Sequence, residues 1–186
     1  MDPEDAGFSV VKRWCTKREE RKLLRFLDRD DRKHWDTSIK ARQQQFFGYS
    51  YNYRHKTSEK ADKFEGVLEQ IRLRLNEDGY LSATQCIVNE YRKDQGIGAH
   101  TDPAYMGPIV VGISLSSHGS IRLTDPDGNI HDIYLPRRSL MIMRGDSRFL
   151  WKHAIMPTKS YLRKGVRITK DDDYRRVSLT FREFSL

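Results

Sequence analysis

The apolar positions change their period partway along the chain. From Thr16 to Asp31 they fall at helical spacing, with Leu23, Leu24, Phe26 and Leu27 forming one side. Thr16 can cap that helix, and Glu19 three residues on completes a capping box. A second helix is predicted from about Glu59 to Asp78, where Phe64, Val67, Leu68, Ile71 and Leu75 recur and Gly79 supplies the stop. Between the two, Gln45 to Tyr53 alternates. Phe47, Tyr49, Tyr51 and Tyr53 then share one face of a strand. Four rings on a strand face form either a core face or a base-stacking platform. Tyrosine suits both, because its body is apolar and its tip polar.

From Thr84 onward the pattern is one of short strands. Thr84 to Arg92, Ile109 to Ser116, Ser120 to Thr124, Asn129 to Leu135, Leu140 to Arg144, Phe149 to Ile155 and Arg176 to Phe184 are rich in strand formers. Asp127-Gly128 provides a hairpin turn. Many short strands with turns between them predict a sandwich, barrel or jelly roll. Two helices ahead of such a run predict an α+β domain with the helices packed on one side of a β core. At 186 residues this is one domain, helical to about residue 83 and β from 84 to 186.

Composition narrows the picture further. With 37% hydrophobic and 11% aromatic residues the chain can build a core without staples. No run approaches the roughly 18 apolar residues of a membrane span. The acidic start MDPEDAGFSV lacks the apolar stretch of a secretory signal. Cys15 and Cys86 make neither a disulfide framework nor, alone, a zinc site. The expected location is therefore inside the cell, in cytoplasm or nucleus, with no membrane partner. Thirty-four basic against 26 acidic residues give +8, which favours a polyanionic partner such as nucleic acid.

The candidate chemistry begins at His100-Thr101-Asp102. On extended backbone, residues two apart point to the same face, so an imidazole and a carboxylate would aim at one point. A histidine from a later strand would complete a facial triad, a set that holds Fe(II) and leaves coordination positions open. His153 is the candidate third ligand, with His118 and His131 as competitors. Gly96-Ile97-Gly98 allows tight turning just ahead of the first ligand. A second copy of the motif, His34-Trp35-Asp36, follows a charged run and reads as surface loop. In the last strand Arg176, Ser178, Thr180 and Arg182 share one face, and Val177, Leu179 and Phe181 share the core face. The two arginines stand ~20 Å apart at ~3.3 Å per residue, and reaches of about 7 Å each leave room for a small dicarboxylate. Arginine suits a two-point grip on carboxylate. Asn89 and Tyr91 alternate onto one face of their own strand as further donors.

Taken in order, Asn89-x-Tyr91, His100-x-Asp102, His153 and Arg176-x5-Arg182 resemble the AlkB family of Fe(II)- and 2-oxoglutarate-dependent dioxygenases. The match runs from about Thr84 to Phe184, and more loosely from Arg42. The closer likeness is to the branch that modifies the wobble uridine of transfer RNA. It is carried by Phe47-Gly48-Tyr49, Gln95-Gly96-Ile97, Leu135-Pro136-Arg137-Arg138-Ser139-Leu140 and Gly145-Asp146-Ser147-Arg148-Phe149-Leu150-Trp151-x-His153. The resemblance implies a double-stranded β-helix, or jelly roll, with a nucleotide-recognition lid in the N-terminal part. It implies that His100, Asp102 and His153 hold iron, and that Arg176, helped by Tyr91, meets the far carboxylate of 2-oxoglutarate. Arg182 and Asn89 would hold the end that chelates iron, with Ser178 standing where the bacterial founder has asparagine.

The implied reaction consumes O2 and 2-oxoglutarate, with ascorbate as the reductant in vitro, and hydroxylates a substrate carbon. N-alkylated bases are thereby dealkylated, while a carbon-linked group on a modified transfer-RNA base keeps the hydroxyl. The expected partner is single-stranded DNA or RNA, transfer RNA included, met by a monomer. A base inside a duplex cannot reach such a site, and Tyr49 and Tyr51 are the residues expected to line it. The competing readings are an oxygenase of the same fold acting on protein or lipid and a non-enzymatic RNA-binding module. A mere binder has no use for the ligand set.

Overall fold

The computed structural model describes residues 1–29, 35–52 and 57–184. Strand β1 (Phe8–Val11) opens the chain and is followed by helix α1 (Lys17–Leu27). Thr16 caps α1 with both halves of the capping box in place: Glu19 N–H donates to Thr16 Oγ1 at 3.1 Å, and Thr16 N–H donates to Glu19 Oε2 at 2.8 Å. The helix stops at Leu27, short of Asp31, where the Asp28 N–H closes its last turn on the Leu24 carbonyl.

The aromatic stretch divides into β2 (Gln43–Phe47) and β3 (Tyr49–Asn52), and β3 pairs with β4 (Thr57–Lys60). The expected single strand with four rings on one face is thus two strands. Gly48 between them has φ +76°, and a Cβ there would stand 2.0 Å from the Thr84 carbonyl oxygen. The left-handed turn breaks the alternation. Phe47 enters the core fully buried, while Tyr49 belongs to the β3–β4 ribbon. Of Tyr51 only the strand position is described, and Tyr53 lies outside the described residues.

Helix α2 (Gly66–Glu77) starts later than Glu59, because residues 57–60 pair with β3 and Ala61 and Asp62 bond to the Gly48 backbone. Its end is as expected: Gly79, at φ +75°, donates to the Asn76 carbonyl, and Tyr80 donates to Leu75.

The β core follows as β5 (Gln85–Tyr91), β6 (Ile97–His100), β7 (Val110–Ser116), β8 (Gly119–Thr124), β9 (Ile130–Leu135) and β10 (Leu140–Met143). A short helix α3 (Asp146–Phe149) then occupies the start of what reads in sequence as one strand from Phe149, so β11 spans Lys152–Ile155. A hairpin of β12 (Ser160–Arg163) and β13 (Val166–Thr169) precedes β14 (Arg176–Arg182).

Two antiparallel sheets result. The larger runs β1-β10-β7-β14-β5-β2 and the smaller β6-β11-β8-β9. Two strands that precede residue 84, β1 and β2, therefore form both edges of the larger sheet. The last strand, β14, is inserted at its centre between β5 and β7. Alternation then sorts the side chains. Val177, Leu179 and Phe181, with Cys86, Val88, Val111, Ile113 and Leu115, pack under α1 and α2 in one core. The opposite face of β14 carries Arg176, Ser178, Thr180 and Arg182 toward the space between the sheets. A second core of Phe8, Val110, Ile121, Leu123, Met141, Met143 and Trp151 joins the two sheets beside that space. No described helix is long and apolar enough to cross a membrane.

Candidate active site

His100 ends β6 and His153 lies in β11, and the antiparallel register sets the two directly opposite each other. Their ring centroids are 4.2 Å apart. Asp102 follows two residues after His100 and is 5% exposed. The ligand atoms of His100, Asp102 and His153 all lie within 4.8 Å of one another.

The protonation states suit a cation. His100 Nδ1 donates to the Gly98 carbonyl at 2.8 Å, which orients the ring with Nε2 3.9 Å from Asp102 Oδ1. Burial pushes the His153 imidazole down to about 3, against the pull of Asp102, so this ring is neutral. Burial by itself would raise the Asp102 carboxyl, but the Arg182 guanidinium and the nearby imidazoles hold it down to about 2. Two imidazoles and one carboxylate on one side of a point form a donor set fit for Fe(II).

Two buried arginines hold this corner. Arg182 donates Nε and Nη2 to the two oxygens of Asp102 at 2.9 and 2.8 Å, and its Nη1 lies 3.4 Å from Gln85 Oε1. Arg148, 1% exposed, donates to three backbone carbonyls, those of Asp102 (2.7 Å), Pro103 (2.7 Å) and Gly107 (3.1 Å). Thr101 Oγ1 bonds the Trp151 carbonyl at 3.0 Å, tying the loop to the entry of β11. The loop that carries the carboxylate is thus clamped at both its side chain and its main chain.

Beyond Arg182 along the same face stands Arg176, 3% exposed. Its Nη2 donates to Ser114 Oγ at 2.8 Å, while Nε and Nη1 have no partner. Tyr91 is directly opposite in register, its ring centroid 5.8 Å from the guanidinium carbon. Burial raises the Tyr91 phenol, which stays protonated and able to donate. Asn89 pairs with Ser178 in register, and its Oδ1 accepts from Arg42 Nε (3.0 Å) and Gln44 Nε2 (2.8 Å). A buried guanidinium with two unanswered donors, a phenol and a serine beside it, is a cradle for a carboxylate.

The structure separates the other candidates from this site. His118 bonds Tyr134 Oη at 2.7 Å and the Arg137 N–H at 3.0 Å. His131 stacks on Trp151 at 5.2 Å, with Nε2 3.8 Å from Asp125. His34 lies outside the described residues. Tyr49 packs on Phe184 at 5.9 Å, and Phe184 meets Tyr105 edge-on at 5.8 Å. Phe184 and Tyr105 follow Arg182 and Asp102 by two and three residues, so this aromatic group borders the cluster.

Sequence reasoning did not find Arg148, Ser114 or Tyr105. Ser114 had a legible signal, since Gly112, Ser114 and Ser116 form a small, polar face on an otherwise apolar strand. Arg148 had none of its own, because its partners are carbonyls 41 to 46 residues away.

An antiparallel two-sheet fold with two imidazoles and a carboxylate gathered between its sheets defines a class, the oxygenases of the jelly-roll type. Comparison with known proteins gives the family: the 2OG-Fe(II) oxygenase superfamily profile matches residues 8–182, and the chain belongs to that superfamily. It is 32% identical over 163 residues to the mouse (Mus musculus) protein named tRNA (carboxymethyluridine(34)-5-O)-methyltransferase ALKBH8, covering 82% of this chain and 24% of that one. The chain therefore spans about a quarter of that relative's length. It is 31% identical over 187 residues to uncharacterized protein L905 of Acanthamoeba polyphaga mimivirus, covering 95% of this chain and 84% of the other. Among solved structures, that of OsALKBH1 superposes with a TM-score of 0.70 at 16% identity, covering 96% of this chain and 97% of that one. That likeness extends the agreement in fold. The family implies Fe(II) as cofactor, with 2-oxoglutarate and O2 as cosubstrates.

Proposed function

We propose that this chain is a dioxygenase acting oxidatively on nucleic acid, dealkylating an N-alkylated base or hydroxylating a modified base of transfer RNA. The observation that carries the reading is the pairing, on one side of the inter-sheet space, of the His100–Asp102–His153 cluster with the half-bonded Arg176. The naming of a similar protein as a transfer-RNA modifying enzyme supports the substrate class, as does the charge of +8.

In this reading His100, Asp102 and His153 hold Fe(II). Arg176, with Tyr91 and the hydroxyls of Ser114 and Ser178, receives the distal carboxylate of 2-oxoglutarate. Asn89 and Arg182 border the chelating end, and Arg182 also keeps Asp102 ionised and oriented. Bound iron would supply the oxidising chemistry from O2 and 2-oxoglutarate, one oxygen atom going to the substrate and one to succinate, with carbon dioxide released. The chain contributes fixed ligands, a charged clamp for the cosubstrate and a largely buried setting. The β3–β4 ribbon serves as recognition lid, and Tyr49, Phe184 and Tyr105 present rings to an extruded or single-stranded base, with Tyr51 on the same ribbon.

The test is mass spectrometry of single-stranded RNA and DNA, alkylated or carrying wobble-uridine modifications, incubated with enzyme, Fe(II), ascorbate and 2-oxoglutarate. Loss of alkyl groups or gain of one oxygen, coupled to succinate, is expected. His100→Ala and Asp102→Ala should abolish succinate formation, while His34→Ala should retain it. Full turnover in the first two would remove the cluster from the chemistry. Turnover with peptides or lipids and none with any oligonucleotide would replace the substrate class.

A further inference from the structure

Among the described residues, four that are not glycine have left-handed backbone: Arg13 (φ 57°), Ser116 (φ 67°), Arg138 (φ 67°) and Lys164 (φ 50°). For a residue with a Cβ that conformation costs roughly 1–2 kcal/mol. Glycine or asparagine is the inexpensive choice. Lys164 makes the point most clearly. Arg163 pairs with Val166, so Lys164-Gly165 is a two-residue hairpin turn, with φ of 50° and 78°. Both central residues are left-handed, and Asn-Gly is the pair such a turn favours. The chain places lysine there instead. Arg13, Arg138 and Lys164 come from three separate turns, yet all three line one groove.

The groove has a volume of about 770 Å³ and is lined by Lys12, Arg13, Arg137, Arg138, Arg163 and Lys164. Arg137 is held by the buried Glu20 carboxylate at 2.7 Å, and Arg138 lies 3.8 Å from it. Lys12, Arg13, Arg163 and Lys164 are exposed and make no ion pair among the described residues. Of the acidic groups nearby, Asp132 is gripped by Arg122 through two bonds of 2.8 Å, and Asp2 accepts the Glu4 amide. Asp2 and Glu4 remain exposed on the rim as two countercharges against these four unpaired cations. Flat groups accompany the charges: Tyr134 stacks with His118 at 5.7 Å and with Tyr161 at 6.1 Å, and the Arg163 guanidinium lies 5.7 Å from the Tyr134 ring. The groove is distinct from the metal cluster. His118 turns its ring into it, while the next residue, Gly119, abuts Arg176 and Tyr174, where a Cβ would stand 2.8 Å from Arg176 Cδ.

We infer that this groove is a second nucleic-acid contact, gripping the phosphates of a single-stranded segment outside the nucleotide that reaches the metal cluster. The inference rests on the nucleic-acid reading above. Unpaired cations beside stacked rings are the means by which proteins hold single strands without reading sequence. Backbone conformations accepted at basic residues, where a neutral residue costs less, are what a selected ligand contact leaves behind.

The test uses the full chain, Fe(II)-loaded, and a fluorescent single-stranded RNA of about 15 nucleotides. The double variant Arg13→Asn/Lys164→Asn suits both turns, so its melting temperature should equal or exceed that of the parent. Its RNA affinity should fall about ten- to thirtyfold near 0.1 M salt, with the salt slope reduced by about 0.7 for each phosphate no longer neutralised. Turnover of 2-oxoglutarate without substrate should be unchanged. Lys12→Gln/Arg163→Gln, placed on ordinary backbone, should weaken binding similarly. Unaltered RNA binding in both doubles, with the parent binding well, would overturn the groove and leave the proposed function standing. A parent that binds no oligonucleotide would overturn the nucleic-acid reading itself. An equal loss of binding to polyglutamate would show a site for any polyanion and overturn the nucleic-acid assignment.

Discussion

Arg176 bonds Ser114 through Nη2 and leaves Nε and Nη1 buried without partners. A buried charge in that condition lowers the stability of the protein that carries it, because lost hydration is not replaced. Its opposite number, Arg182, has a carboxylate on two nitrogens. The two arginines of the motif therefore respond differently to removal. Arg176→Met, similar in length and uncharged, should melt no lower than the parent in the absence of 2-oxoglutarate. The same variant should lose the stabilisation that 2-oxoglutarate confers, about 2.7 kcal/mol at a hundred times the Kd. Its affinity should fall at least a hundredfold, since stranding one partner of a buried pair costs ~3–5 kcal/mol. Thermal melts with and without cosubstrate read both effects. A variant that melts much lower yet keeps its response to 2-oxoglutarate would make Arg176 a structural residue.

Gly48 decides how one sequence pattern becomes two elements. The alternation of Phe47, Tyr49, Tyr51 and Tyr53 describes one strand face, and the capping box at Thr16 marks a helix start equally plainly. The helix start survives folding because all its partners lie within three residues. The strand does not, because Gly48 meets the Thr84 carbonyl, 36 residues on. Gly48→Ala combines an unfavourable φ, about 1–3 kcal/mol, with a Cβ 2.0 Å from that oxygen and 2.7 Å from the Phe64 ring. The expected result is a melting temperature lower by several degrees, at ~2–4 °C per kcal/mol for a chain of this size. The β3–β4 ribbon should also loosen, seen as faster amide exchange at Ala61, whose N–H bonds the Gly48 carbonyl. A melting curve identical to the parent's would show that Gly48 is not required.

The order of strands governs the behaviour of the whole molecule. Every residue of β14 has partners on both β5 and β7, and Val177, Leu179 and Phe181 fill the core under the helices. The larger sheet therefore cannot close until the end of the chain is in place. Deleting residues 175–186 should abolish cooperative unfolding altogether, including the contact of α1 with α2, because their shared core loses one wall. Deleting residues 1–11 removes an edge strand with the core residues Ala6 and Phe8, so a cooperative transition of reduced midpoint should remain. Circular dichroism under denaturant distinguishes the two. A cooperative transition in the first deletion would contradict the central role of β14.

The sequence by itself determined the class of fold, the faces of the strands and most of the chemistry. Period-two alternation fixes which side chains share a face wherever a strand forms, so the polar face of β14 was legible from Arg176 to Arg182. The pair His100 and Asp102 was legible for the same reason, being two apart on extended backbone. What alternation cannot supply is register between distant strands. His153 was the candidate third ligand, with His118 and His131 as competitors, and only the pairing of β11 with β6 sets His153 opposite His100. The clamp of Arg148 on the Asp102 loop, the orphaned donors of Arg176 and the gathering of Arg13, Arg138 and Lys164 around one groove were likewise decided by tertiary structure. In each case the partners are separated by tens of residues. Only the folded arrangement of sheets brings their atoms within hydrogen-bonding or Coulombic range.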